Sequence, residues 1–296
     1  MRSGTLRVLI LALIAFVLPS CDSPISDELE SAGETYKHIR ASWSPDGKWI
    51  AYTSMIEGDL GIYLVDSSGS NGRRIVEGEG VGVTWSPEAR WLAFSRAAGL
   101  YRVKSNGDSL FRFNLSAGAI RPSWSKDGDK IAFVRLEPAD LHGVWLFRSG
   151  AQTSSRLISY GDFPSWHRDN KQVYFLDVQY DAVATTYVSE VLTIHVDTYA
   201  MNTVARITSR SDVTFPSMNV SGSSMIYSSK PFDAYAQVWK YDIAEKRLIR
   251  LTDDGGDYPA WNPEGTRIVY TRPMKGDGGL WVMNSDGTGK RRLTSP

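Results

Sequence analysis

The sequence predicts an all-β fold, a six-bladed β-propeller in which every blade is a four-stranded antiparallel sheet. Three observations predict it. A segment with a Trp, a turn and an apolar run recurs, the repeat has the length of a four-stranded blade, and further strand-like segments follow each copy. The anchor positions are 43, 85, 124, 166, 218 and 261, at intervals of 42, 39, 42, 52 and 43 residues. Six anchors predict six blades.

The segment around each anchor predicts the first two strands of a blade and the hairpin that joins them. In the first copy Pro45 presets φ for a turn, and Asp46 and Gly47 supply a side-chain hydrogen bond and a left-handed position. The apolar run that follows suits a strand covered on both faces, as when blades stack. The copies are SWSPDGKWIAY from Ser42, TWSPEARWLAF from Thr84, SWSKDGDKIAF from Ser123, SWHRDNKQVYF from Ser165, SMNVSGSSMIY from Ser217 and AWNPEGTRIVY from Ala260.

A third and a fourth strand complete each predicted blade. The third-strand segments are GIYLVD from Gly61, GLYRVK from Gly99, GVWLFR from Gly143, TIHVD from Thr193, QVWKYD from Gln237 and GLWVMN from Gly279. The fourth-strand segments are RRIV from Arg73, LFRF from Leu110, SRLIS from Ser155, ARIT from Ala205, IRLT from Ile249 and RRLT from Arg291. An Arg occurs in every fourth strand, where charge on an unpaired sheet edge discourages aggregation.

This repeat resembles that of the bacterial TolB-like propellers, which reads roughly P-x-W-S-P-D-G-x-x-I-A-F, then I-Y-V-M-D, then R-R-L-T. The resemblance covers residues 36–296 and implies a propeller domain with those bounds. TolB contacts a peptidoglycan-associated lipoprotein, so the resemblance also implies a protein- or peptide-binding role. TolB carries an α/β domain before its propeller, whereas only about fifteen residues are present for one here. We therefore expect a bare propeller and do not carry the TolB role over.

The N-terminus predicts a cell-envelope location. Residues 1–20 read as a signal peptide, because two arginines precede an apolar run too short to span a membrane. The run ends in LPSC, which resembles the lipobox of bacterial lipoproteins and implies lipidation of Cys21, the only Cys in the chain. An ordinary cleaved signal with an incidental Cys is the alternative. We expect a lipid-anchored protein on the periplasmic side, with the inner or outer membrane left open.

Residues 21–35 are predicted to form a flexible tether. The segment after the Cys is polar and contains five acidic residues, although a short helix at SDELES is an alternative. The whole chain has 33 basic and 33 acidic residues. This balance predicts no nucleic-acid partner. We expect a monomeric propeller.

Motifs of catalysis are missing from the sequence. It has no G-x-S-x-G, no H-E-x-x-H and no phosphate-binding loop, so we expect neither catalytic residues nor a cofactor. NSDGTGK from Asn284 partly matches a calcium loop but lacks the downstream Glu, so we expect no metal. His167 and His195 replace repeat residues and are interpreted as structural. A metal or glycan site brought together by folding is the open alternative.

One candidate binding region is an insertion in blade four. The 52-residue interval adds about ten residues within Leu176 to Leu192, where Tyr180 and Tyr187 stand. A longer hairpin reaching beyond the disc would carry these tyrosines to a partner. Tolerated growth of a surface loop is the alternative.

The second candidate is the mouth of the central channel where the innermost strands begin. Six such segments converge there, and nowhere else do loops from every blade meet. The charged residues in these segments are His38, Arg40, Arg121, Asp162, Asp212 and Asp257. Bases facing acids would form a polarised ring that orients a dipolar partner such as a peptide terminus, whereas solvated loop charges are the alternative.

Two classes of function follow from these regions. The first is a non-enzymatic envelope lipoprotein that binds a protein or a peptide. The second is a carbohydrate-active enzyme or glycan-binding propeller that uses the channel mouth.

Overall fold

The computed structural model describes residues 37–97, 99–115, 118–136, 138–211, 213–230, 235–273 and 278–294. Six four-stranded antiparallel sheets follow one another along the chain, each with its strands in sequence order. The first strands of successive blades contact one another, and the first strand of blade six contacts that of blade one. The ring is therefore closed, and the predicted all-β six-bladed propeller is confirmed.

The first three blades contain strands β1 to β12. Blade one has β1 His38–Trp43, β2 Trp49–Ser54, β3 Gly61–Asp66 and β4 Arg73–Glu77. Blade two has β5 Val81–Trp85, β6 Trp91–Arg96, β7 Gly99–Lys104 and β8 Phe111–Arg112. Blade three has β9 Ala119–Trp124, β10 Lys130–Arg135, β11 Gly143–Arg148 and β12 Thr153–Ile158, with a short 3₁₀ helix at Ala139–Leu141.

The last three blades contain strands β13 to β24. Blade four has β13 Asp162–Trp166, β14 Gln172–Asp181, β15 Thr186–His195 and β16 Met201–Ser209. Blade five has β17 Thr214–Met218, β18 Ser224–Ser229, β19 Gln237–Asp242 and β20 Arg247–Arg250. Blade six has β21 Asp257–Trp261, β22 Arg267–Arg272, β23 Gly279–Asn284 and β24 Arg291–Arg292.

The predicted hairpin after each anchor forms as the sequence indicates. In blade one the Ser44 hydroxyl donates to Asp46 Oδ1 at 2.6 Å, and the backbone N–H of Trp49 donates to Ser44 Oγ at 2.9 Å. Gly47 has φ +68°, the left-handed conformation that glycine adopts at least cost. These turns lie on one face of the disc, which we call the turn face. The innermost strands begin on the opposite face, the start face.

Neighbouring blades stack through buried apolar side chains. Between blades one and two, Leu64 packs in one cluster with Trp85 and Phe94. Two anchor indoles also donate to the preceding blade: Trp85 Nε1 to Ser42 O at 3.0 Å, and Trp166 Nε1 to Ser123 O at 2.9 Å. Each side chain of this size contributes about 1.5–3 kcal/mol when fully buried. Blade-to-blade packing is therefore the core of the fold.

Every innermost strand carries a bulge three residues before its anchor. The register with the second strand shifts there in all six blades. The bulged residues have positive φ: Arg40 52°, Gly82 67°, Arg121 51°, Phe163 51°, Phe215 49° and Tyr258 50°. Serines of the preceding blade accept N–H groups that the bulge turns away from the ladder, Ser95 from Arg121 and Ser228 from Tyr258, both at 3.1 Å. The bulge aims one side chain per blade at the axis.

Blade four is longer than the others at the start face. Asp162, where the innermost strand begins, pairs with Leu176, but β14 continues five residues further to Asp181. At about 3.3 Å per residue, the hairpin rises roughly 16 Å beyond that level. The prediction of a longer hairpin that reaches beyond the disc is confirmed.

The predicted signal peptide 1–20, the tether 21–35 and Cys21 lie outside the described residues. Within the described part of the chain, no helix has the length and apolar character needed to cross a membrane.

Candidate functional site

Side chains from five of the six bulges meet across the axis of the channel. Arg121 lies over Phe163 at 4.6 Å, measured from the guanidinium carbon to the ring centre, and Phe163 contacts Phe215 with ring centres 4.9 Å apart. Phe215 contacts Tyr258 at 4.4 Å, and Arg40 lies 4.6 Å from the Phe215 ring centre. Blades one and five are not neighbours, so the Arg40–Phe215 contact crosses the channel. We call these five residues the plug.

Apolar residues cover the plug on its start-face side. Ile39, Val81 and Ile120, each one residue before a bulge, are buried in one cluster with Tyr258, and Phe215 packs against it. The blades that supply these three residues are adjacent. The channel is therefore closed at the end where the innermost strands begin.

The charges of the plug are held by neighbouring side chains. Arg121 Nη1 donates to both oxygens of Asp162, at 3.0 and 3.2 Å, in a half-buried ion pair. Burial, followed by the charge of Arg121, lowers the pKa of Arg40 to about 10, so Arg40 still carries its proton at neutral pH. Burial raises the pKa of Tyr258, whose phenol stays neutral.

The carboxylates predicted at the mouth bind backbone as well. Asp162 Oδ1 accepts the N–H of Phe163 at 2.6 Å, and Asp257 Oδ1 accepts that of Tyr258 at 2.8 Å. Four of the six predicted mouth residues, Arg40, Arg121, Asp162 and Asp257, therefore lie in or beside the plug. Asp212 lies outside the described residues. The binding role predicted for this set stays a prediction.

His38 lies at the seam between blades one and six. Its Nδ1 is 2.8 Å from Thr294 Oγ1, which accepts the backbone N–H of Leu280 at 2.9 Å. Thr294 is thus free to donate its hydroxyl proton to a neutral imidazole. Burial, with Lys37 and Arg292 nearby, lowers the pKa of His38 to about 4. The hydrogen bond joins the first blade to the last.

Tyr180 and Tyr187 are directly paired across the blade-four hairpin. Their ring centres are 5.0 Å apart, and both side chains are half-buried. Val183, in the turn that joins the two strands, is 97% exposed. The hairpin therefore presents two aromatic rings and an apolar tip on the start face.

The largest cavity lies on the turn face, where the sequence reasoning did not place a site. It has a volume of about 530 Å³ and is bounded by the anchor residues of all six blades and by turn residues such as Pro45 and Pro263. We call it the funnel. A cavity of about 240 Å³ continues it to the plug, and the two share Ser165, Pro216 and Ser217. The channel is therefore open to the turn face and blind at the plug.

Hydroxyl groups encircle the channel between funnel and plug. The residue before the anchor lines this section in every blade, and the six are Ser42, Thr84, Ser123, Ser165, Ser217 and Ala260. The repeat motif carries the signal for them, because five of its six copies begin with Ser or Thr. Among the described residues, no group of three or more His, Cys, Asp or Glu side chains is arranged to hold a metal ion.

Comparisons with known proteins identify the fold. No family model matches the chain, and no curated protein matches it in sequence. The TolB structure from Acinetobacter baumannii superposes with a TM-score of 0.67 at 16% identity, over 90% of this chain and 67% of that one. A TolB-type protein from Agrobacterium tumefaciens gives 0.64 at 17%, over 84% and 90%. An oligogalacturonate lyase from Vibrio parahaemolyticus gives 0.61 at 11%, over 85% and 91%.

Fold and channel together define a six-bladed propeller with a blind central channel. At these identities a likeness shows the fold alone. At that level the resemblance to TolB propellers read from the repeat is confirmed.

Proposed function

We propose that this protein is a non-catalytic scaffold of the bacterial cell envelope that binds another protein or a peptide with its start face. One observation carries the proposal. The blade-four hairpin rises about 16 Å on the same face on which the six innermost strands begin. The two regions that the sequence singled out are therefore parts of one surface. The fold shared with TolB supports a role in protein binding.

The hairpin supplies the kind of group that dominates protein interfaces. Paired tyrosines bury a large area while ordering few rotatable bonds, and Tyr is enriched among residues that carry binding energy. The Arg121–Asp162 pair retains partial exposure, with 18% and 34% of the two side chains accessible. A partner held by the hairpin would meet this pair at the centre of the face.

Membrane attachment through Cys21 is part of the proposal. The apolar run, the LPSC sequence and the single Cys support lipidation after cleavage of residues 1–20. The described chain begins at Lys37, next to β1, so residues 21–35 would leave from the start face. A tether of that length has a reach on the order of 20 Å. The proposed partner would thus bind on the membrane-proximal side of a monomeric propeller.

A glycan-binding role has less support in the geometry. Sugars are commonly recognised by open aromatic faces, but the ring faces of three anchor indoles are covered. Arg267 lies over Trp43, Lys130 over Trp166 and Lys240 over Trp261, each 5.8 Å from the ring centre. Capture from solubilised envelope, compared with a glycan array, separates the two classes.

The anchor is tested by fractionation. We expect the wild type in the membrane fraction and the Cys21→Ala form released from it, provided that its signal is cleaved. A wild type that is soluble from the outset would refute lipidation.

The partner surface is tested by capture from detergent-solubilised envelope. We expect the wild type to retain a partner that the Tyr180→Ala/Tyr187→Ala variant releases, because the paired rings are lost. The matched control is Tyr199→Ala, in the same blade, 51% exposed and in the turn that leads into β16 on the turn face. Retention by the double variant, or equal loss in the control, would refute the start-face surface.

A further inference from the structure

The funnel has a charge bias that the proposed partner surface does not use. Three basic side chains belong to its wall, Lys126 of blade three and His167 and Arg168 of blade four. The wall contains no carboxylate among the described residues. The nearby turn carboxylates serve their own turns instead: Asp127 accepts from Ser125 and Lys130. One side of the funnel is therefore electropositive.

The opposite side of the funnel offers hydrogen-bond donors. Trp43 and Trp261 belong to blades one and six, across the ring from blades three and four. Both indoles line the funnel and are more than nine-tenths buried. Within the described chain their Nε1–H groups have no hydrogen-bond partner, whereas Trp85 and Trp166 donate to the preceding blade. A buried donor without a partner is costly, and an acceptor brought by a ligand would satisfy it.

The shape of the channel selects a chain end. Because the plug closes the far side, an extended polymer cannot pass through. Whatever binds must come in and leave by the turn face. A volume of about 530 Å³ with Pro, Met and Val side chains in its wall suits a few amino-acid residues, and the hydroxyl ring below offers further partners for backbone groups.

We propose that the funnel binds the carboxyl-terminal end of an extended peptide. The terminal carboxylate lies toward Lys126 and Arg168, and backbone carbonyls accept from the indole N–H groups on the opposite wall. A carboxyl end is favoured over an amino end because the funnel wall carries basic and no acidic groups. A peptide is favoured over an acidic glycan because basic side chains cover the indole faces that a sugar ring would stack on.

Equilibrium dialysis of the full chain in mild detergent tests the proposal. The probes are two pools of fluorescein-labelled random tetrapeptides, one with free carboxyl termini and one with amidated termini. We expect the free-carboxylate pool to bind about tenfold more tightly, the ratio that corresponds to one charge-assisted interaction. Equal binding of the two pools, binding of neither, or displacement of peptide by an acidic oligosaccharide would overturn the proposal.

Matched variants locate the site. Lys126→Ala/Arg168→Ala should lose most of the preference for the free carboxylate. Arg90→Ala/Lys171→Ala removes the same charge from exposed turn residues outside the funnel wall and should bind as the wild type does. Unchanged binding by the first variant, or equal loss in the second, contradicts the assignment.

The start-face proposal fails or stands separately. Tyr180→Ala/Tyr187→Ala should bind the peptide pools normally, and the funnel variant should still capture the start-face partner. Loss of pool binding in the hairpin variant would place the peptide on the start face and overturn the funnel site.

Discussion

The two ends of the central channel are built from the same repeat and differ in what their side chains do. At the start-face end, bulged residues from five blades contact one another across the axis and close the channel. At the turn-face end, the anchor residues surround an open funnel. A repeat fixes where backbone positions fall, but the side chains at those positions decide whether a channel end is core or site.

The residue before each anchor and the residue three before it make this difference concrete. The first is small and hydroxylated in five blades, so the channel remains open at that level. The second is long or aromatic in five blades, and the bulge aims it inward. A separation of two residues along one strand thus divides the open section from the closed one.

The largest expected effect comes from breaking the plug. Tyr258→Ala removes a buried ring that contacts Phe215 and the apolar cluster beneath. We expect the free energy of unfolding to fall by about 3–5 kcal/mol, as for other buried aromatic residues. Urea unfolding measures it, with Tyr199→Ala as an exposed control that should change stability by less than about 0.5 kcal/mol. A loss below about 1 kcal/mol for Tyr258→Ala would mean that the ring is not packed as described.

A pH effect of intermediate size separates the seam from the mouth. His38 has a pKa near 4 in the folded protein, because of burial, against 6.5 when unfolded. Below pH 6.5 the unfolded chain binds the proton first, so this stability contribution is complete above pH 6.5 and is lost as pH falls toward 4. At pH 5 the loss is about 2 kcal/mol relative to pH 7.5.

Urea unfolding at the two pH values checks this, with the His38→Gln variant as the comparison. The variant should lose about that much less stability on acidification than the wild type. His195→Gln, a substitution of a half-buried rim histidine, is the control. Identical acid profiles for wild type and His38→Gln would show that His38 does not titrate in the seam.

A smaller effect sharpens the contrast between the plug and the rim. Asp162→Asn weakens the half-buried bidentate pair with Arg121, and we expect a cost of about 1–2 kcal/mol in thermal or urea unfolding. Asp253→Asn weakens an exposed pair with Arg250 and should cost less than about 0.5 kcal/mol. Equal costs would indicate that the plug charges are solvated like those of the rim.

Much of the fold is readable from local sequence because a repeat states the same instruction six times. The hairpin after Trp43 and the longer hairpin of blade four both appear where turn residues and interval length place them. Even Met218, which replaces the anchor Trp in blade five, ends its strand at the expected position. Turn chemistry and apolar runs act over a few residues, so one sequence suffices to find them.

The channel was less readable because its properties depend on contacts between distant blades. Pro follows Arg121 and Phe163, and a residue before Pro ordinarily avoids the helical regions of φ and ψ, so the left-handed bulge has no local signal. Gly82 alone hints at it. His38 meets Thr294 because the ring closes, which no spacing along the chain reveals.

Cysteine accessibility tests most directly that the channel is open at the turn face and closed at the start face. In a Cys21→Ser background, a single cysteine replaces either Ser165, in the wall shared by the two cavities, or Val81, beneath the plug. We predict that a small charged thiol reagent modifies Ser165→Cys at least a hundredfold faster than Val81→Cys under native conditions, because only the first lies in solvent-connected space. Equal rates, or faster modification of Val81→Cys, would contradict the closed start face.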